Sequence, residues 1–349
     1  MKLFQTRTAA YTAYGIAFGF LFPVISTAVE SLFQFGTIGL AAIAAVQANS
    51  RLLWVIDSAP FFLGLFAALA GVRQDRLHAT NARLIREIAA RTEVEQRLRK
   101  QNELLHDDLE YARILQRSFL PDLPRCAYAD IDYRYSPVKA VGGDLVSIVE
   151  IREGGVGFFV GDVAGHGVSA SLITALVKVV SDRACRKHGL EPDRFLLLMN
   201  RELMQVIPEN NYLTALYGVL QREGGETAFT FSRAAHPHPI VLRGQAGTSE
   251  LILSDGVPIC HGSDSRYECH TARLDPGDRL FLITDGMYDI QQKGKSSIGL
   301  AGFLPIIDAA NAARRPIGET LDMIVAEADR LHDGQSVRDD RVIIGIEVR

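Results

Sequence analysis

The stretch VGFFVGDVAGHGVSASLITALVKVV, residues 156–180, contains both regular patterns that the C-terminal part of the chain repeats. VGFFV predicts a strand, because aromatic and β-branched residues favour a pleated, half-buried surface. The glycine-rich turn GDVAGHG ends that strand, and VSASLITALVKVV predicts a helix. The sequence therefore places Asp162 in a turn between a strand and a helix.

The same two patterns recur on both sides of this stretch. Alternating, strand-like segments are DIDYRYSPV, YLTALYGVL, TAFTFSRAAHPHPIVLR, RLFLITDGMYDI and DRVIIGIEV. Helical segments are VSASLITALVKVVSDRAC and residues 192–206, 298–313 and 317–331. Runs of strands with inserted groups of helices predict packed sheets flanked by helices, so we expect an α+β domain over residues 120–349.

Aspartates stand at the turns of several predicted strands. They are Asp144 in VGGD, Asp162 in VGDVAGHG, Asp285 in ITDGMYD, and Asp339 with Asp340 in VRDDRVII. Such oxygen ligands suit Mg²⁺ or Mn²⁺, and the glycines beside them let backbone approach an ion closely. Two such ions can hold a shared water, lower its pKa and neutralise phosphoryl charge. One Asp-Gly pair alone is more often a turn, so only the joint arrangement indicates phosphate hydrolysis.

These motifs resemble those of the PPM-type metal-dependent serine/threonine protein phosphatases, in the bacterial branch that regulates sigma factors and sporulation. The similarity begins near Gln116 with LQRSFLPDLP, continues through VGGD and GDVAGHGVSA, and ends with GDRLFLITDGMYD and RDDRVII. RAAHPHP is similar to the central Gly-His-Pro segment of the family. The resemblance implies an α-β-β-α sandwich with metal ions at one edge of its two antiparallel sheets.

The resemblance also implies which atoms hold two Mn²⁺ or Mg²⁺ ions: those of Asp144, Asp162, Val163, Asp285 and Asp339. Asp144 and Asp162 would be shared between the ions, and the Val163 carbonyl would complete one site. Asp289 stands where many relatives carry Glu, and it would help hold a weak third metal. The metal-activated water would attack the phosphoryl group, so no protein nucleophile is expected.

Further polar residues near these motifs each have two interpretations. His166 in AGHG is either a general acid or a structural residue at the start of the next helix. The resemblance favours the structural role, because the histidine of eukaryotic relatives aligns with Ala164. Lys139 either contacts the substrate phosphate or stays solvated. His236 and His238 either contact phosphate or belong to a proline-flanked turn.

One departure from the family pattern leaves an alternative function open. Many relatives continue after VGGD with an aromatic pair and another aspartate, whereas this chain has Leu145, Val146 and Ser147. The alternatives are a catalytically weak or silent PPM-like signalling scaffold, and a membrane adaptor that acts through its coil. Retention of every aspartate at a metal position argues against the adaptor.

Two apolar runs near the N-terminus predict a membrane anchor. Residues 9–29 are uncharged over about the length that crosses a bilayer, and residues 52–72 are interrupted only by Asp57 and Pro60 near their start. Basic residues flank both runs, so the positive-inside rule places both flanks in the cytoplasm. We therefore expect a transmembrane hairpin over residues 1–72. A signal peptide, a buried core hairpin or a third span between the two runs are the alternatives.

Residues 73–119 are rich in Arg, Glu, Gln and Leu and lack Gly and Pro. In one heptad frame Leu77, Leu84, Leu98, Leu105, Ala112 and Phe119 occupy d positions, and Asn81, Ile88, Asn102 and Leu109 occupy a positions. Asparagine at a favours paired parallel strands, so we expect a linker helix that forms a homodimeric coiled coil. Arg91 at d and Glu95 at a interrupt the seam, and a helix lying on the protein surface is the alternative.

Composition is consistent with these expectations. A net charge of -4 gives no basic field for nucleic acid, and Cys126, Cys185, Cys260 and Cys269 form no CxxC pair, which indicates reduced thiols. We expect a phosphatase anchored in the bacterial cytoplasmic membrane, with its catalytic domain in the cytoplasm. The resemblance implies that its partner is a phosphorylated regulatory protein of the anti-sigma-factor antagonist type.

Overall fold

The structure is a computed structural model that describes residues 6–151, 154–165, 167–208, 210–244, 247–290, 297–332 and 337–349. The chain divides into two compact units, Met1–Glu103 and Leu104–Arg349. The first unit is helical, and the second contains two β-sheets with helices.

The first unit contains the predicted apolar runs. Its helices are α1 (Arg7–Gly19), α2 (Leu21–Phe35), α3 (Leu40–Asn49), α4 (Arg51–Ile56) and the first part of α5 (Ala59–Arg117). Pro60 lies in the first turn of α5, where its missing N–H costs no helical hydrogen bond. By length and composition alone, the helical segments Arg7–Phe35 and Arg51–Arg117 each contain a stretch that could cross a membrane. The mean hydropathies of these stretches are 1.8 and 1.9.

The start of α1 is held against α5. The carboxylate of Asp75 accepts hydrogen bonds from the Arg7 N–H at 3.2 Å and from the Thr8 N–H and hydroxyl at 3.1 and 2.6 Å. These bonds satisfy donors that a helix N-terminus leaves unpaired. A Cβ on Gly71 would overlap the backbone of Thr8, so the two helices approach closely there. The first residues of α1 therefore lie beside the part of α5 that follows the second apolar run.

Helix α5 runs without interruption from the second apolar run through the predicted linker. The side chains of Leu77, Leu84, Ile88 and Leu98 remain 49 to 62% exposed in the single chain. The helix ends at Arg117, and Phe119 packs against the core of the second unit. The prediction that Phe119 is a coiled-coil position is therefore wrong, because the chain has already left the helix, and this partly buried ring packs against the core of the second unit.

The second unit contains the two sheets. Its strands in the described part of the chain are β1 (Ala129–Ser136), β2 (Asp144–Ile151), β3 (Gly155–Val163), β4 (Leu213–Glu223), β5 (Glu226–Ala234), β6 (Ile240–Leu242), β7 (Ser249–Leu251), β8 (His270–Leu274), β9 (Arg279–Ile283) and β10 (Arg341–Val348). One sheet has the order β1-β10-β9-β6-β7, and the other has the order β2-β3-β4-β5-β8. Neighbouring strands are antiparallel in both sheets.

Helices cover the outer faces of both sheets. α6 (Val168–His188) and α7 (Pro192–Leu203) pack on the β2–β8 sheet, and α8 (Gly299–Ala312) and α9 (Ile317–Leu331) pack on the β1–β7 sheet. A third apolar cluster, which includes Phe158 and Ile344, fills the space between the sheets. The predicted α-β-β-α sandwich is confirmed, as is the α+β class.

The sequence patterns missed three strands, β2, β7 and β8. β2 begins at Asp144, directly after Gly142 and Gly143, and we expected only a turn there. β8 is short and its residues alternate between exposed and half-buried before Leu274. β2 is defined by its pairing with β3, the next strand in the chain, β7 by its pairing with β6, and β8 by its pairing with the more distant β5.

Candidate active site

Two of the predicted metal ligands face each other across neighbouring strands. Asp144 begins β2, Asp162 lies near the end of β3, and the two residues are direct partners in the ladder. Asp144 is only 2% exposed. The pairing of β2 with β3 is thus what brings the VGGD and GDVAGHG motifs together.

A buried threonine connects this pair to the other sheet. The Thr284 hydroxyl donates to Oδ2 of Asp144 at 2.8 Å and accepts the Val342 N–H at 2.9 Å. Thr284 is fully buried and directly precedes Asp285. It therefore fixes the position of Asp144 relative to the ITDGMYD motif.

Asp340 joins three motifs. Its Oδ1 accepts the Val138 N–H at 2.8 Å, and its Oδ2 accepts the Gly143 N–H at 2.5 Å. A Cβ on Gly142 would overlap this carboxylate, and a Cβ on Gly286 would overlap the Asp340 carbonyl. Glycine is therefore required at both positions for the loops to approach this residue.

Asp285 opens a short 3-10 helix that ends at Met287. Its backbone carbonyl accepts the N–H groups of Tyr288 at 2.9 Å and Asp289 at 2.8 Å. This turn holds Asp289 next to Asp285, and the charge of Asp289 helps raise the pKa of the Asp285 carboxyl, after the larger effect of burial. The structure thus places the predicted accessory residue beside a predicted ligand.

The Val163 carbonyl lies in the same region. A Cβ on Gly143 would approach the Val163 oxygen to 2.9 Å and Oδ1 of Asp162 to 3.4 Å. The Val163 N–H donates to the Gly143 carbonyl at 3.3 Å, which holds the two loops together. A backbone oxygen and a carboxylate oxygen thus lie on the same side of the glycine pair.

The electrostatics of this cluster favour a bound cation. Burial raises the pKa of Asp144 well above its ordinary value, and the charges of Asp162, Asp340 and Asp339 raise it further. Burial also raises the pKa of Asp162 to about 8, with added repulsion from Asp285, Asp339 and Asp340. Buried carboxylates that repel one another are stabilised by a nearby positive charge.

The donor set fits magnesium or manganese. Among the described residues, no group of three or more His, Cys, Asp or Glu side chains is arranged to hold an ion by itself. Mg²⁺ commonly takes one or two carboxylates and keeps several waters, so a complete protein cage is not required. The all-oxygen donors Asp144, Asp162, Asp285, Asp339 and Val163 match that chemistry.

Gln116 was not singled out as a site residue from the sequence, although it opens the LQRSFLPDLP motif. Its Nε2 donates to the Gly142 carbonyl at 2.8 Å, and its Oε1 accepts the Gly142 N–H at 3.0 Å. Gln116 is 7% exposed and lies in the last turn of α5. The end of α5 is therefore bonded directly to the glycine pair that precedes Asp144.

The remaining candidates have different outcomes. His166 lies outside the described residues. Lys139 lies in the loop between β1 and β2, and it lines a cleft with the last turn of α5. His236 is buried, and its Nδ1 lies 2.9 Å from Oγ1 of Thr214, the ladder partner of Asp162. Burial lowers the pKa of His236 to about 3, with help from Arg233, so this ring is neutral.

The residues that depart from the family pattern belong to the core. Leu145 packs in the cluster beneath α6 and α7, and Val146 packs between the two sheets. Ser147 is also buried. The strand after VGGD thus supports the sandwich.

Comparisons with known proteins agree with this architecture. The family model of stage II sporulation protein E (SpoIIE) matches residues 152–349. Phosphoserine phosphatase RsbP of Bacillus subtilis is 28% identical over 186 residues, 52% of this chain and 45% of RsbP. Phosphoserine phosphatase RsbU of the same organism is 24% identical over 193 residues, 55% of this chain and 56% of RsbU.

A solved structure shows the shared fold. The SiaA-PP2C domain of Pseudomonas aeruginosa superposes with a TM-score of 0.61 at 23% identity, covering 71% of this chain and 98% of that domain. The chain spans about half the length of the curated relatives it matches.

Proposed function

Because this chain belongs to the SpoIIE family, we propose that it is a metal-dependent phosphatase that hydrolyses phosphoserine or phosphothreonine in a regulatory protein. The observation that carries the proposal is the pairing of buried Asp144 with half-buried Asp162 across neighbouring strands, with Asp285 and Asp339 within electrostatic reach. A purely structural turn has no need of so many adjacent carboxylates.

The proposed ligands are Asp144, Asp162, Asp285 and Asp339 with the Val163 carbonyl, and Asp289 is an accessory group. When bound, a pair of divalent cations would lower the pKa of a coordinated water and neutralise charge on the phosphoryl group. Other residues of the protein hold these ligands in position. Thr284 holds Asp144, and Asp340 holds the loop that contains Gly143. Gln116 fixes the neighbouring Gly142.

The relatives support the proposed substrate class. RsbP and RsbU, which match about half of this chain, are named phosphoserine phosphatases. We infer that the substrate is a phosphorylated regulator of the anti-sigma-factor antagonist type.

The first unit supports a membrane anchor. Its two long apolar helices could cross a bilayer, and the bonds from Asp75 to the start of α1 bring both ends of the apolar hairpin to one side. Exposed leucines along α5 support a coiled-coil dimer. In this proposal residues 1–72 anchor the protein, residues 73–119 link and dimerise it, and residues 120–349 catalyse in the cytoplasm.

The direct test is substitution of the proposed ligands in the full-length protein. Asp162→Asn and Asp285→Asn should each abolish hydrolysis of a phosphoserine peptide. Each change removes a proposed metal ligand, and with it several kcal/mol of transition-state stabilisation. The measurement is phosphate release at saturating Mn²⁺.

Asp264→Asn, at an exposed position, is the matched control. Wild-type rates in both ligand variants would reject the assignment. Absence of hydrolysis by folded, Mn²⁺-saturated wild type would favour the silent scaffold instead.

A further inference from the structure

A cleft of about 380 Å³ opens between the last turn of α5 and the loop that follows β1. We call it the basic cleft. Its lining includes Arg113, Gln116, Arg117, Tyr135, Ser136 and Lys139. Its volume lies within the range of ligand-binding pockets, roughly 300 to 1,000 Å³.

The charge of the lining has one sign. Among the described residues that line it, Arg113, Arg117 and Lys139 are basic and none is Asp or Glu. Arg113 has one acidic partner outside the cleft, Glu110, at 2.5 Å. A pocket lined by one sign of charge concentrates counter-ions, so this cleft favours an anionic ligand.

Two buried donors belong to the same lining. Within the described part of the chain, Nε of Arg113 and the hydroxyl of Tyr135 are buried without a hydrogen-bond partner. Buried polar groups in native proteins are nearly always paired, and each unpaired one costs about 1 to 3 kcal/mol. Both atoms are hydrogen-bond donors, and they lie beneath the surface of the cleft, where their hydrogen bonds are unmet.

The basic cleft borders the candidate active site. Gln116 lines the cleft and also bonds to Gly142, two residues before Asp144. Tyr135 lies within electrostatic reach of the site: after burial, the charges of Asp340 and Asp144 raise its pKa, whereas Arg117 opposes them. A group bound in the cleft would therefore lie close to a phosphoryl group held at the aspartates.

We propose that the basic cleft is a subsite for a carboxylate side chain that lies near the phosphorylated residue of the substrate protein. The inference rests on the proposed phosphatase function, since the phosphoryl group itself is assigned to the aspartate cluster. A second anion that reaches the cleft from the same substrate chain is then an Asp or Glu. The cleft would thus select phosphorylated segments that contain acidic neighbours.

The test compares two synthetic phosphoserine peptides on full-length protein in detergent with Mn²⁺. One peptide has Asp and Glu beside the phosphoserine, and the other has Asn and Gln at the same positions. The readout is the ratio of the two kcat/KM values, with p-nitrophenyl phosphate as a reference for the metal centre. The variants are Arg117→Gln and the conservative Arg117→Lys. Arg201→Gln is the control, at an exposed position on α7 outside the cleft.

We expect wild type to prefer the acidic peptide by about threefold to tenfold, the size of one partly exposed charge pair. Arg117→Gln should bring the ratio close to one, Arg117→Lys should keep part of the preference, and Arg201→Gln should keep all of it. High salt should also reduce the wild-type ratio, because exposed charges are screened.

Three results would overturn the subsite. These are no preference in wild type, an unchanged ratio in Arg117→Gln, and an equal loss on both peptides, which would place Arg117 in support of the metal centre. Failure of wild type to hydrolyse either peptide or p-nitrophenyl phosphate would instead overturn the proposed function. The two failures are therefore distinguishable.

Discussion

At the scale of single residues, the main feature of the site is a conflict between folding and function. Asp144 is buried and Asp162 lies half-buried beside it, and the charge of Asp162 disfavours ionisation of Asp144. Without a cation the pair is best accommodated when it retains a proton. Metal binding must then displace that proton, so affinity for Mn²⁺ should rise with pH.

This conflict predicts how stability depends on pH. Asp162 has its pKa raised to about 8 in the folded state, whereas an aspartate in an unfolded chain has a pKa of about 3.9. Between these values the folded state binds a proton that the unfolded state has lost, so the free energy of unfolding should fall as pH rises. Thermal unfolding of metal-free protein across this range is the measurement.

Asp162→Asn should weaken that fall, because an amide does not titrate, and it should make the metal-free protein more stable near pH 8. Saturating Mn²⁺ should restore the stability of wild type but not add to that of the variant to the same extent. If the stability of metal-free wild type increases steadily from pH 4 to pH 8, the pKa of Asp162 is not raised in the folded state and this assignment is wrong.

At the scale of elements, the end of α5 is part of the site. The Gln116 amide pairs with both the N–H and the carbonyl of Gly142, as a neighbouring strand would. Gln116→Ala should therefore loosen the VGGD loop and weaken Mn²⁺ affinity by about 10- to 100-fold, the usual effect of losing a group that orients ligands. Hydrolysis at saturating Mn²⁺ should be less affected.

The measurement is the Mn²⁺ dependence of phosphate release. Gln101→Ala, at an exposed position on the same helix, is the control. If Gln116→Ala and Gln101→Ala have the same half-saturating Mn²⁺ concentration, the contact with Gly142 does not position the metal ligands.

Much of the second unit was predictable from the sequence, because β3, β10 and α9 have strong local patterns. β2 was missed since its pairing with β3, and not its own pattern, makes it a strand. In the site, the aspartates at turns were identified from motifs, and their role as ligands stays a prediction. Thr284 and Gln116 were missed because their partners, Asp144 and Gly142, lie far away in sequence.

The long helix α5 allows a second prediction at this scale. Arg91 and Glu95 interrupt the apolar seam that Leu84, Ile88 and Leu98 otherwise continue. Replacing both by Leu should stabilise one coiled-coil register, since polar groups at a and d cost stability and apolar ones restore it. A helix locked in one register should give constant phosphatase activity whatever the stimulus, because a signal acts only through a difference between accessible states.

The measurement is phosphate release by full-length protein in membranes, for wild type and for Arg91→Leu with Glu95→Leu. Disulfide cross-linking of Leu98→Cys reports the dimer. The surface change Arg97→Leu, outside the a and d positions, is the control. Absence of a cross-linked dimer, or a double variant that responds as wild type does, would leave α5 as a tether only.

At the scale of the whole molecule, contacts within the first unit bear on the side of a membrane where each part lies. Arg7 and Asp75 are in contact, although 68 residues separate them, and the apolar helices lie between them in sequence. An even number of crossings follows if both ends of this hairpin lie at one surface. Basic residues such as Arg73 and Arg76 just after the second apolar run favour the cytoplasm for that surface.

Cysteine labelling of intact cells tests this topology. Gly39→Cys introduces a thiol between the apolar helices at a position where a Cβ meets no atom within 4 Å, so the change should be tolerated. Arg76→Cys introduces one at an exposed position after the second run. A membrane-impermeant maleimide should label Gly39→Cys in intact cells and Arg76→Cys only after permeabilisation, because α1 and α2 together with the start of α5 would separate the two sites.

The exposed native Cys269 is the internal control for the catalytic unit and should behave like Arg76→Cys. Labelling of Arg76→Cys and Cys269 in intact cells would place the phosphatase unit outside, away from any cytoplasmic phosphoprotein. Equal labelling of all three sites in intact and permeabilised cells would show that the apolar helices do not cross the membrane.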